Sequence, residues 1–175
     1  SDLRWPSNVT VARDSEVKRV IVEDGGGEHL GVVSSVGHAT SSERDDLSGF
    51  FPPPEGRLPE VAVLHTQVVD SPGSMKHGEY APSRLDRLRD SGHDYWALGH
   101  VHKRSSLSDH PAIHYPGNLQ GRTHGERGPK GCLLVEVRLG APARVEFRDL
   151  APIRWEDVDV RDPTDASTLD QLIRT

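Results

Sequence analysis

The chain has 175 residues, a net charge of −6 at neutral pH, 34% hydrophobic and 27% charged residues, and a single cysteine. Its length fits one domain, or one domain and the start of a second. The acidic balance argues against a protein that coats nucleic acid over its whole surface, and the lone Cys132 excludes an internal disulfide and suits a reducing, cytoplasmic setting.

No apolar run approaches the roughly 20 residues of a membrane span. The opening Ser1-Asp2-Leu3-Arg4 lacks a signal-peptide pattern and an initiator methionine, as expected of a fragment or processed chain. Thirteen prolines and seventeen glycines predict short elements and many loops. Residues 9–11, 17–22 and 30–36 read as strands, the last two joined by a turn at Gly25-Gly26-Gly27. Residues 41–48 predict a short helix capped by Ser41 or Ser42, and the prolines after Phe51 a rigid loop. Val61-Ala62-Val63-Leu64 is wholly apolar, as in a central strand covered on both faces.

Residues 70–80 are rich in Gly, Ser and Pro and predict a surface loop. Residues 83–90 read as a helix with Pro82 near its start, Leu85 and Leu88 facing inward and Gly92 ending it. Residues 95–98 form the next buried strand. The second half turns β-rich: residues 113–115, 131–137 and 144–148 predict strands, the last two pairing across Gly140-Ala141-Pro142. Cys132 lies in that pattern and reads as a small core residue rather than a nucleophile. From Asp162 the pattern changes, and residues 166–174 predict a helix of a separate unit.

Gly99-His100-Val101-His102 follows the apolar run that ends at Leu98. It offers two imidazoles on a rigid support, and neutral imidazole is the commonest protein metal ligand. Gly99 lets the backbone approach whatever the rings hold. His65 closes the other short apolar strand, and ligands of open α/β sheets gather at the carboxyl ends of strands. Parallel strands would bring His65 and His100 to one edge. An H-x-H pair alone is a weak signal in a chain with ten histidines. Three such residues with no adjoining carboxylate would look like a zinc site with an open position. Between residues 100 and 130 the basic residues Lys103, Arg104, Arg122, Arg127 and Lys130 face only Asp109 and Glu126. Such a local positive stretch on an acidic chain suits an anionic substrate, or is simply a solvated face.

His65 in VAVLHTQV, the run DYWALGHVHK at 94–103 and the run YPGNLQGRTHGERGPKGC at 115–132 fall in an order that resembles the calcineurin-like metallophosphoesterases. Within them the SbcD-type DNA-repair exonuclease branch is most similar. The resemblance spans residues 5–155 and implies part of a four-layer α/β/β/α sandwich. Residues 1–156 would be the C-terminal half of the phosphoesterase domain, and 157–175 the start of a capping domain or linker helix. The family's Asp-x-His, Gly-Asp-x-x-Asp and Gly-Asn-His-Asp motifs do not occur in this sequence. With them would go half the ligand set, including the metal-bridging aspartate and the acid histidine.

In the complete site two divalent cations hold the phosphodiester, make water nucleophilic near neutral pH and stabilise the developing charge. Mixed His, Asp and Asn ligation suits manganese, iron or zinc, with Mn2+ expected here. The resemblance assigns His65 and His100 to one ion and His102 to the other, and no catalytic residue to this chain. It implies a parent that is a metal-dependent DNA exonuclease or endonuclease. The parent would be served by an SbcC-like ATPase, have no membrane association and be able to form a homodimer through the N-terminal half. The present chain would be inactive alone.

Tyr80, Asn118, Arg122 and Lys130 are candidate substrate contacts. Arg122 reads equally as a partner of Glu126 across a turn, and Gly117, Gly121, Gly128 and Gly131 read as turn residues. His114 reads as structural, while His77, His93, His110 and His124 carry no pattern. Two other readings stand beside the nuclease. One is the same fold acting on small phosphodiesters or phosphomonoesters, since fold does not fix substrate. The other is a non-catalytic scaffold whose histidines are relics or a structural zinc site.

Overall fold

Alternating apolar residues set the faces of the main sheet, because successive strand side chains point to opposite sides. The computed structural model describes residues 4–40, 42–69 and 80–158. In chain order the strands are β1 (Lys18–Glu23), β2 (His29–Val36), β3 (Glu60–His65), β4 (Gln67–Val68) and β5 (Pro82–Ser83), then helix α1 (Leu85–Asp90). There follow β6 (Tyr95–Gly99), β7 (Ser105–Asp109), β8 (Ala112–Tyr115), β9 (Gly131–Glu136) and β10 (Arg144–Asp149). Six of them form one sheet in the order β1-β2-β3-β6-β8-β7. β2, β3, β6 and β8 run parallel, while β1 and β7 flank them antiparallel. The chain is therefore α/β with few helices, and it is β-rich after β6, as expected.

The parallel register places His65 opposite Gly99, so the carboxyl ends of β3 and β6 lie side by side. Val36, Leu64, Trp96, Leu98, Ile113 and Tyr115 build the core, joined by Leu47 and by Leu88 of α1. Each such fully buried side chain contributes roughly 1.5–3 kcal/mol. Trp96 also fixes the helix end: its indole Nε1 donates to the Leu88 carbonyl and to Ser91 Oγ, both at 3.0 Å. Gly92 follows with φ +84°, the left-handed stop that only glycine adopts without strain. Tyr115 ties down the chain just beyond His65. Its hydroxyl donates to the Thr66 carbonyl at 2.8 Å and accepts from the Val68 N–H at 3.0 Å.

Several elements differ from the sequence reading. Residues 9–11 form no strand, for so short a run has no sheet neighbour and Val9 and Val11 remain exposed. The helix expected at 41–48 is replaced by a 3-10 turn at Leu47–Phe50, with Ser41 outside the described residues. Its polar side chains take the backbone donors: Glu43 accepts from the Arg44 and Asp45 N–H groups, and Asp46 from Ser48. Such local bonds compete with helix formation. The helix expected from Ser83 begins at Leu85, because Pro82 and Ser83 pair instead with Gln67 and Val68.

β7 has no counterpart in the sequence reading. Its sequence, Ser105-Ser106-Leu107-Ser108-Asp109, has little intrinsic strand preference, and antiparallel pairing with β8 creates it. β3 is central and parallel as expected, but the described residues bury mainly one of its faces. On the other face Val20, Val22 and Val63 remain 37%, 40% and 39% exposed. β9 and β10 pair across the expected turn as a separate hairpin, and the Arg104 guanidinium lies 3.7 Å over the Phe147 ring of that hairpin. Among the described residues no helix is long and apolar enough to cross a membrane. The loop at 70–79 and the helix expected at 166–174 lie outside the described residues.

Candidate metal centre

His65 is the last residue of β3, and His100 follows directly on β6. Their rings meet edge to face, with Nε2 of His65 and Nδ1 of His100 3.3 Å apart. Gly99 makes the approach feasible, since a Cβ there would lie 2.9 Å from His65 Nδ1. His100 itself has φ +103°, a region a non-glycine residue rarely adopts, and this turns the chain sharply out of the strand. Tyr80 stacks on the His100 ring at 5.5 Å and 15°.

His38, two residues beyond β2, completes this side of the site and was missed in the sequence. Its Nε2 lies 2.8 Å from the His65 carbonyl and its Nδ1 3.2 Å from the Tyr80 hydroxyl. A carbonyl only accepts, so Nε2 carries the proton and a neutral ring takes the tyrosine's hydrogen bond at Nδ1. The strand-end rule that singled out His65 would also have found His38, because β2 is the next parallel strand in the sheet. Burial pushes the His65 pKa down, and the nearby His100, His38 and His102 push it the same way. His65 is thus held as neutral imidazole, the form that ligates metals.

His102 belongs to a second cluster. Its Nδ1 lies 2.7 Å from Glu126 Oε1, while Glu126 Oε2 accepts the Arg122 backbone N–H at 2.7 Å. These bonds, the Arg122 N–H first and the His102 ring second, hold the Glu126 carboxyl down to about 2. It is therefore Arg122's backbone, rather than its exposed guanidinium, that engages Glu126 across the turn. Lys130 is buried and its ammonium points to the His102 carbonyl at 3.4 Å. Asn118 also faces Glu126, yet both of its buried amide atoms lack a well-formed hydrogen bond. Gly117 and Gly128 have positive φ and a Cβ on Gly121 would strike the Glu126 carbonyl, in keeping with turn roles, whereas Gly131 opens β9 and is needed there because a Cβ would strike the Arg148 carbonyl of the paired strand. His114 stacks on Tyr95 within the sheet, at 5.7 Å and 20°.

The donor set fits a divalent transition ion in part. Two imidazole nitrogens each about 2.1 Å from one ion at a tetrahedral angle stand about 3.4 Å apart, close to the separation of His65 and His100. Among the described residues, however, no group of three or more His, Cys, Asp or Glu side chains stands together to hold a metal. The strand ends supply a pair, and His102 stands with Glu126.

No protein-family profile matches the chain. Over 116 residues, 65% of its length, the chain is 42% identical to a Bacillus subtilis (strain 168) protein named uncharacterized metallophosphoesterase YhaO. The similarity is to a metallophosphoesterase. The matched stretch spans 28% of that relative's length. That name agrees with the resemblance carried by the GHVH motif and its neighbours, and it does not distinguish the SbcD-type branch.

Proposed function

We propose that this chain forms one side of the metal centre of a phosphoester hydrolase whose complete protein cleaves DNA phosphodiesters. The observation that carries this reading is the His65–His100 pair, two imidazole nitrogens 3.3 Å apart at the carboxyl ends of adjacent parallel strands. His65 and His100 would hold one cation and His102 a second, with Mn2+ the expected ion for both. Divalent cations bound there supply Lewis acidity and a nucleophile at neutral pH.

The chain's own residues do the rest of the positioning. Tyr80 stacks on the His100 ring and His38 Nε2 donates to the His65 carbonyl, which braces the imidazole pair. Lys103, Arg104 and Arg122 give the surface around the motif a positive potential that draws in a phosphate backbone. The carboxylate ligands and the acid histidine would come from the three family motifs that this sequence does not contain, so the 175-residue chain alone would not hydrolyse DNA. An SbcC-like ATPase would deliver DNA ends to the complete protein in the cytoplasm.

The test is cleavage of linear duplex DNA by the complete protein. Mn2+-stimulated cleavage that His100→Ala abolishes is the expected result. Cleavage confined to small nitrophenyl phosphodiesters would replace DNA with a small substrate, and no hydrolysis of either would point to a scaffold. Robust DNA cleavage by the 175-residue chain would overturn the requirement for the other motifs.

A further inference from the structure

We propose that Glu126 is a positioning residue that fixes the His102 imidazole as its Nδ1–H tautomer and leaves Nε2 as the free donor atom. The argument starts from the carboxylate. A glutamate carboxylate accepts hydrogen bonds, and here Oε2 already accepts the Arg122 N–H at 2.7 Å. The 2.7 Å contact to His102 Nδ1 therefore requires the proton on Nδ1. In the neutral ring the lone pair then lies on Nε2. His102 is 52% exposed against 17% for Glu126, so the ring reaches outward while its anchor is sheltered.

The anchor is built rather than incidental. Both carboxylate oxygens are engaged, Oε1 by His102 and Oε2 by the Arg122 N–H. Glu126 N–H closes a turn onto the Thr123 carbonyl at 2.9 Å. The Glu126 carbonyl sits so close to Gly121 that a Cβ there would lie 2.6 Å from it. Trp155 clamps the same loop from outside, donating from Nε1 to the Gly121 carbonyl at 3.1 Å and accepting the Gly128 N–H at 2.9 Å. Lys130 holds the His102 backbone from the other end of the loop. A histidine whose outer nitrogen binds a metal commonly donates its inner N–H to a carboxylate, which sets the ring's orientation and raises its basicity. Only the identity of what Nε2 binds rests on the phosphoesterase reading.

The experiment is long-range proton–nitrogen NMR of the histidine rings in the 175-residue chain without metal, followed by Mn2+ titration of the complete protein. The expected spectrum shows His102 as the Nδ1–H tautomer. In Glu126→Ala that signal moves toward the Nε2–H form while the His93 and His114 rings keep their native shifts. Glu126→Gln, which keeps the side chain's size, serves if the alanine variant does not fold; its amide, able to donate or accept, is expected to give a mixed tautomer. Mn2+ affinity of the complete protein falls about 10- to 100-fold in either variant. An Nε2–H tautomer in the unmodified chain, or tautomers indifferent to both substitutions, would overturn the proposal. A tautomer that responds in a complete protein that binds no Mn2+ would sustain the positioning role and refute the metal-centre reading instead.

Discussion

The two histidine clusters are held in different ways. His65 and His100 stand at the ends of hydrogen-bonded parallel strands whose inward side chains are the core of the chain. His102 lies just past those strands, and a carboxylate 24 residues away in a loop fixes its ring. The first cluster inherits its geometry from the fold and would be lost only with it. The second depends on a few polar contacts and can loosen while the sheet stays intact.

The largest effect should therefore come from the core beneath the first cluster. Trp96 is fully buried beside Phe51 and His93, with its ring 5.0 Å from that of Phe51. Trp96→Ala removes this packing and leaves the Leu88 carbonyl without its indole donor. It should cost about 3–5 kcal/mol in denaturant unfolding. The proximity of His65 and His100 should vanish in the same transition, read by their ring NMR signals. Loss of the pair well before global unfolding would contradict a geometry inherited from the sheet.

Acid should test the same core more gently. His93 is buried between Phe51 and Trp96, and burial is the main cause that lowers its pKa, against the opposing pull of Glu60 and Asp94. Burial lowers His114 likewise. The unfolded state binds protons at these rings below about pH 6.5, whereas the folded state resists them until its lower pKa is reached. Stability should be constant above that pH and decline below it. The decline is at most about 1.4 kcal/mol per pH unit for each group. Unfolding midpoints between pH 8 and 5 would show the slope. His93→Gln, whatever it costs at pH 8, should make the slope shallower, and an unchanged slope would remove His93 from the account.

The contrast between the clusters also explains what the sequence made legible. An apolar strand followed by Gly-His-x-His, and a helical connection back from the strand ending in His65, are local patterns. Parallel pairing of β3 with β6 then brings the strand ends together. Glu126 carries no such pattern, and only the strand-end rule reaches His38. His38 stands two residues past a strand that ends Val-Val-Ser-Ser-Val, and its partners His65 and Tyr80 lie 27 and 42 residues away. Glu126 reads as a partner of Arg122 across a glycine-rich turn, and only the folded loop shows that it holds the Arg122 backbone and the His102 ring, one on each oxygen. Lys130 likewise looks like a surface cation until its buried position under His102 is seen. β7 escaped notice because pairing with β8, rather than side-chain preference, makes it a strand.

The smallest effect on stability should fall on the second cluster and be the most selective. Trp155 is 40% exposed and contributes little to the core, but its indole N–H holds the Gly121 carbonyl beside the Glu126 turn. Trp155→Phe keeps most of the ring and removes that single donor, a loss of about 0.5–1.5 kcal/mol. Amide exchange at Gly128 and in the Glu126 turn should accelerate, and the His102 ring signal should broaden or shift. The His65 and His100 signals should stay where they are, because nothing in the β3–β6 register depends on the loop. If all three rings respond together, the clusters form one cooperative unit, and the distinction between a strand-borne and a loop-held side of the site fails.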